Sequence, residues 1–202
     1  MSWSKLNKVI TISIALLLLA LPVAACAKPA APPPQPPAPP AGTIAVEPPK
    51  IDYAKVQEMF AFFVKLRNLS PQAAAALPPC MGILALPVKF TGTGWPANEM
   101  VFVDLVVPPD VEIKGLDRSR GEDSVGIAVG TADSTGTFDA IMEATAKLNW
   151  LLRTDWKPTV TPDLATIKPL PNGTYTIRAT GIDPRTMATV TWELEMVAPA
   201  AK

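Results

Sequence analysis

Histidine is absent from the 202 residues, and cysteine occurs only twice. Without an imidazole there is no Ser-His-Asp or Cys-His nucleophile pair, and the histidine-bearing zinc sites are excluded as well. Neither sign of charge is in excess, since 18 basic side chains face 18 acidic ones. Such a chain lacks the basic surface that displaces counterions from phosphates, so nucleic acid is not an expected partner. No glycine-rich phosphate loop appears. The acids single out no pair for glycoside hydrolysis. The cluster Asp117, Glu122 and Asp123 lacks EF-hand spacing and carries Arg118 and Arg120 among its carboxylates. The expectation is therefore a protein with no catalytic residue, no metal site and no cofactor.

Proline is abundant, with 24 residues, and 49% of the chain is hydrophobic. The first 25 residues carry Lys5 and Lys8, then an apolar run over 9–25 broken only by Thr11, Ser13 and Pro22. This is the layout of a secretory signal peptide, and Pro22 interrupts it as a membrane-spanning helix. The leader closes on Val23-Ala24-Ala25-Cys26, which resembles the lipobox of bacterial lipoproteins. The resemblance implies export, cleavage before Cys26, a diacylglyceryl thioether on Cys26 and attachment to the extracytoplasmic face of a membrane. A plain secretory signal would instead leave Cys26 as a lone thiol before a proline tract, with no core to pack in. Several acyl chains hold a protein durably where one would not, because each buried methylene contributes about 0.8 kcal/mol. Removing the leader takes two basic residues and no acid, so the remainder is weakly acidic at minus 2. Cys80 is then alone; between Pro79 and Met81 it reads as a small buried hydrophobe, or else as an intermolecular bridging thiol.

Ten of the 22 residues in 28–49 are proline, so residues 26–50 read as a lipidated cysteine and a disordered Pro/Ala-rich linker. At about 3.1 Å per residue its extended form spans roughly 70 Å. In 51–83 the period becomes helical. Asp52 is placed to cap a helix on which Tyr53, Val56, Met59, Phe60, Phe63 and Leu66 recur at three- and four-residue steps. Phe62 and Val64 fall off that stripe and suit a second surface: a partner, a twin subunit or lipid headgroups. Ser70-Pro71 ends the helix and starts a short second one.

Beyond residue 83 the period drops to two. In the last segment Ala188, Val190, Trp192, Leu194 and Met196 alternate with polar residues, and Tyr175, Ile177 and Ala179 do so before it, after the turn Pro171-Asn172-Gly173. Further strands are expected at 86–91, 100–107, 111–113, 125–129 and 137–143. This spacing of short strands indicates an antiparallel sandwich. The run 90–99, Phe-Thr-Gly-Thr-Gly-Trp-Pro-Ala-Asn-Glu, resembles the opening of bacterial surface immunoglobulin-like domains. Pro171-Asn172-Gly173-Thr174-Tyr175 is similar to their penultimate strand, and Asp133-Ser134-Thr135-Gly136 to a hairpin between. The resemblance implies an immunoglobulin-like β-sandwich over 84–198, adhesive or spacer roles, and a tyrosine-corner position for Tyr175.

The pattern departs from those domains in 144–170, a long insertion. Residues 144–153 fit a strand and a helix, and we favour a strand to Glu143 followed by one or two helical turns. Long structured insertions tend to be functional. Trp95, Trp150 and Trp156 are the candidate binding residues, as aromatic faces for sugars of an envelope polymer, with core packing as the alternative. The expected function is thus that of a lipid-anchored, non-enzymatic envelope protein displaying an immunoglobulin-like domain to another envelope protein. The helix at 51–67 and the insertion are its expected contact surfaces. The alternative is a carbohydrate-binding module that recognises envelope polysaccharide through its tryptophans.

Overall fold

A computed structural model describes residues 42–199. The leader, the lipidation candidate Cys26 and most of the proline tract lie outside the described residues. The expected linker boundary at residue 50 needs correction, because the folded unit already includes residues 42–50. Here β1 (Ala45–Glu47) pairs antiparallel with β3 (Lys89–Gly92), and β2 (Lys50–Ile51) pairs parallel with β10 (Met187–Leu194). Val46 and Ile51 are buried. Composition hid this segment, since Pro48 and Pro49 dominate its appearance yet sit between two short strands, where no ladder bond is asked of their nitrogens. Gly42 belongs to the core too, as a Cβ there would meet the Trp95 ring at 2.6 Å.

The helical layer follows as α1 (Tyr53–Leu66), α2 (Pro71–Ala75) and a 3-10 turn at Pro79–Leu84. Ser70 caps α2 by accepting from the Ala73 N–H, whereas the Asp52 side chain makes no such bond to α1. Val56 and Ile83 are fully buried in the same core as the sheets. The apolar stripe of α1 packs only over its earlier turns, and Leu66 at its end projects outward.

Antiparallel pairing dominates the β-rich remainder. Two larger sheets have the strand orders β1-β3-β6 and β2-β10-β9-β4-β5, with β4 (Met100–Val106), β5 (Ser124–Thr131), β6 (Phe138–Ile141) and β9 (Gly173–Thr180). A small ladder joins β7 (Asp155–Trp156) to β8 (Pro162–Asp163). The expected β9–β10 hairpin is formed, with Trp192 opposite Tyr175. The strand expected at 111–113 is not formed. Val111 and Ile113 are buried, but the Arg118 guanidinium donates to the carbonyls of Val107, Pro108 and Val111, taking acceptors that a neighbouring strand would use. Apolar alternation there records burial without pairing. Residues 144–151 are helical, with an α turn at Ala144–Ala146 and a π turn at Lys147–Leu151. Leu148, Leu151 and Leu152 enter the core, and Lys147 is buried with them. Among the described residues no helix is long and apolar enough to cross a membrane.

Candidate interaction cleft

Strand β4 reads Met-Val-Phe-Val-Asp-Leu-Val, apolar at nearly every position. Val101, Val103 and Leu105 point into the core, so Met100, Phe102, Asp104 and Val106 share the outer face. The register sets Phe102 opposite Val129 on β5 and Thr180 on β9, and Thr180 opposite Met187 on β10. The outcome is a cross-strand row on which Val129 is 56%, Phe102 40% and Met187 49% exposed. A half-solvated sheet ordinarily sets polar residues at such positions.

Beside this row a cleft of about 650 Å³ runs from Phe102, Asp104 and Val129 to Asp139, Ile141 and Glu143, at and just beyond β6. The register shifts between Val103 and Asp104, which sets Asp104 opposite Gly126, and the missing side chain at 126 leaves the floor open. Burial holds the Asp104 carboxyl above the usual carboxylate range, with the Arg178 charge opposing it. Arg178 itself is engaged by Asp123, donating to both of its oxygens at 2.7 and 3.0 Å, while its guanidinium stays 4.0 Å from Asp104. That hydrogen bonding draws the Asp123 carboxyl below its usual range. The cleft therefore joins apolar side chains to three carboxylates, an arrangement suited to holding a segment that offers hydrophobic and cationic groups. Among the described residues no group of three or more His, Cys, Asp or Glu side chains is placed to hold a metal ion.

The tryptophans divide. Trp95 is buried; its Nε1–H donates to the Thr43 carbonyl at 2.9 Å and its ring meets Phe138 edge-on at 5.5 Å. It is a core residue, which corrects its candidacy as an exposed binding residue. Trp150, half-buried, and Trp156, exposed, line a cleft of about 320 Å³ with Lys114, Asn149, Arg153 and Asp155. The Trp156 Nε1–H donates to Asn149 Oδ1 at 2.6 Å, and Lys114 pairs with Asp155 at 2.8 Å. Arg153 is committed to the scaffold, donating to the carbonyls of Lys168, Glu112 and Pro169. Cys80 is a free, buried thiol whose pKa burial pushes up, as suits a structural hydrophobe. The helical segment and the insertion do meet, on an apolar groove of about 530 Å³ that includes Phe63, Leu66, Leu77, Leu148 and Leu164.

Comparison with family models and with curated proteins finds no match to the chain. Phe102, Val129, Ile141 and Met187 escape a reading of the sequence that looks for special residue types. Their signal lies in β4, whose consecutive apolar residues mark a strand with something to bury on both faces.

Proposed function

We propose that this chain is an exported, lipid-anchored envelope protein, non-enzymatic, that displays an immunoglobulin-like β-sandwich to another envelope protein through the Phe102–Ile141 cleft. The exposed apolar side chains of Phe102, Val129 and Ile141 around the cleft carry this reading, because clustered exposed hydrophobic surface marks contact sites. The three carboxylates beside it favour a partner segment bearing Lys or Arg among apolar side chains. The lipobox-like residues before Cys26 support the anchor. The immunoglobulin-like reading is supported by the division of the first strand between two sheets ordered β1-β3-β6 and β2-β10-β9-β4-β5. It is supported as well by the Tyr175 hydroxyl, which donates to the Pro171 carbonyl at 2.7 Å in the manner of a tyrosine corner.

The test is photo-crosslinking on whole cells from a benzophenone side chain at Val129 or Ile141, then purification with Cys26 intact and mass spectrometry. A single stoichiometric protein, lost in Phe102→Glu, is the expected result; a protein cross-linked to nothing refutes the reading. A second reading, polysaccharide recognition, rests on Trp150 and Trp156 sharing one cleft. Glycan binding lost in Trp156→Ala with folding intact would establish it.

A further inference from the structure

Helix α1 is unusual for how little of it is covered. Ten of its 14 residues are apolar, yet Val56 alone is fully buried. Phe62 is 51% and Leu66 66% exposed, and Lys65 and Arg67 beside them face solvent. Next to this helix end lies the groove lined by Phe63, Leu77, Leu148 and Leu164, in which Arg67 is the one charged lining residue. The Arg67 guanidinium sits 5.9 Å over the Phe63 ring, at the edge of that apolar surface. No carboxylate interrupts the chain between Glu58 and Glu99, although the protein past its leader is acidic overall. The last turn of α1 is therefore an apolar surface whose own charges are the cations Lys65 and Arg67; of the carboxylates around it, Glu58 is paired with Lys55 and Asp163 with Lys157, and Glu143 precedes Ala144 at the far side of the groove.

Chain length bears on what can cover it. Fifteen residues, 27–41, separate Cys26 from the first described residue, and they span at most about 50 Å. A folded unit of this size has a radius of gyration of about 15 Å. The tether is thus comparable to the width of the unit it carries, and much shorter than a linker running to residue 50 would be. Held at that range, every face of the unit can reach the bilayer, and the effective concentration of headgroups at the helical layer is high.

We propose that the end of α1, with Phe62 and Leu66 as wedges and Lys65 and Arg67 as headgroup contacts, rests on an anionic lipid surface, the membrane that holds Cys26. Apolar residues then enter the acyl boundary while the cations stay at phosphate level, the arrangement by which interfacial helices bind. The inference rests on Cys26 as the anchor.

The test uses the whole lipidated chain reconstituted into phosphatidylcholine vesicles with about one third phosphatidylglycerol, an anionic surface of the kind basic side chains select. A photo-reactive benzoylphenylalanine replaces Phe62 or Leu66, or, as control, the exposed Ile182 outside the helical layer. Illumination is followed by mass spectrometry of covalent lipid adducts. Adducts at 62 and 66 well above those at 182, falling at least about fivefold when Lys65→Glu and Arg67→Glu are combined, support the inference. Equal yields at all three sites, no lipid adducts, or adducts indifferent to charge reversal overturn it. On whole cells, adducts from 62 and 66 to a protein in place of lipid overturn it too. The same spectra report the acyl mass on Cys26. An acylated protein without adducts refutes the helix contact and leaves the anchor standing, whereas absence of the acyl mass refutes both.

Discussion

Lys147 is 4% exposed, within the π turn Lys147–Leu151, and its ammonium donates to the Leu86 carbonyl. Burial pulls its pKa from an ordinary 10.5 down to about 8, with Glu143 opposing. Between those two values the unfolded chain holds a proton that the folded chain has released, so stability rises with pH across the window. Below pH 8 both states are charged and the full cost of the buried ammonium is present. With 1.36 kcal/mol per unit, the gain from pH 7 to pH 10 is on the order of 2–3 kcal/mol. Two other groups act against it. Burial raises the Cys80 thiol, and raises the Tyr175 phenol to about 12, so the unfolded chain loses those protons first and stability falls above their ordinary values. The measurement is therefore a difference. Residues 27–202 and their Lys147→Met variant, which keeps the apolar stem, are unfolded in urea at pH 7, 8, 9 and 10 and followed by tryptophan fluorescence. Cys80 and Tyr175 contribute equally to both proteins. The variant is expected to be the more stable at pH 7, with its advantage shrinking by about 2–3 kcal/mol at pH 10. A difference independent of pH would show that Lys147 is solvated in the folded state and would refute the reasoning.

Gly82→Ala should be strongly destabilising, because a Cβ there would lie 1.9 Å from the Val56 carbonyl oxygen and force α1 away from the 3-10 turn. We expect a loss of about 3 kcal/mol or more by urea unfolding. Tyr175→Phe removes the hydroxyl bond to Pro171 and should cost about 1 kcal/mol, measured the same way. Trp95→Ala should cost about 3–5 kcal/mol as a core truncation. Trp156→Ala, at an exposed site, should shift the unfolding midpoint far less, and equal losses in the two variants would refute their division into core and surface.

The β9–β10 hairpin was legible because strict alternation, the Pro171-Asn172-Gly173 turn that launches β9 and Gly181 that ends it are all local signals. The same holds for β4, β5 and the Ser70 cap of α2, whereas Asp52 stands at the start of α1 without the side-chain bond expected of it. Residues 42–50 were not legible, because their place is set by partners at Lys89–Gly92 and at Glu193–Leu194, far along the chain. The strand expected at 111–113 failed for a related reason, since Arg118 occupies carbonyls that local periodicity treats as free. Of the candidate site residues, composition alone could not sort Trp95 from Trp156. Indole rings look alike in a sequence, and only the neighbours Thr43 and Phe138 on one side and Asn149 on the other separate a core ring from a surface one.

What the amino-acid order determined by itself is therefore the local chemistry: the apolar run over 9–25 with the lipobox-like residues that close it, the excess of proline after it, the helical and two-residue periods, and the exclusion of histidine chemistry. The tertiary structure alone decided which apolar residues are left uncovered. Burial is a property of long-range neighbours, and the row from Val129 to Met187 exists only because register across β5, β4, β9 and β10 brings distant outward-facing side chains into line.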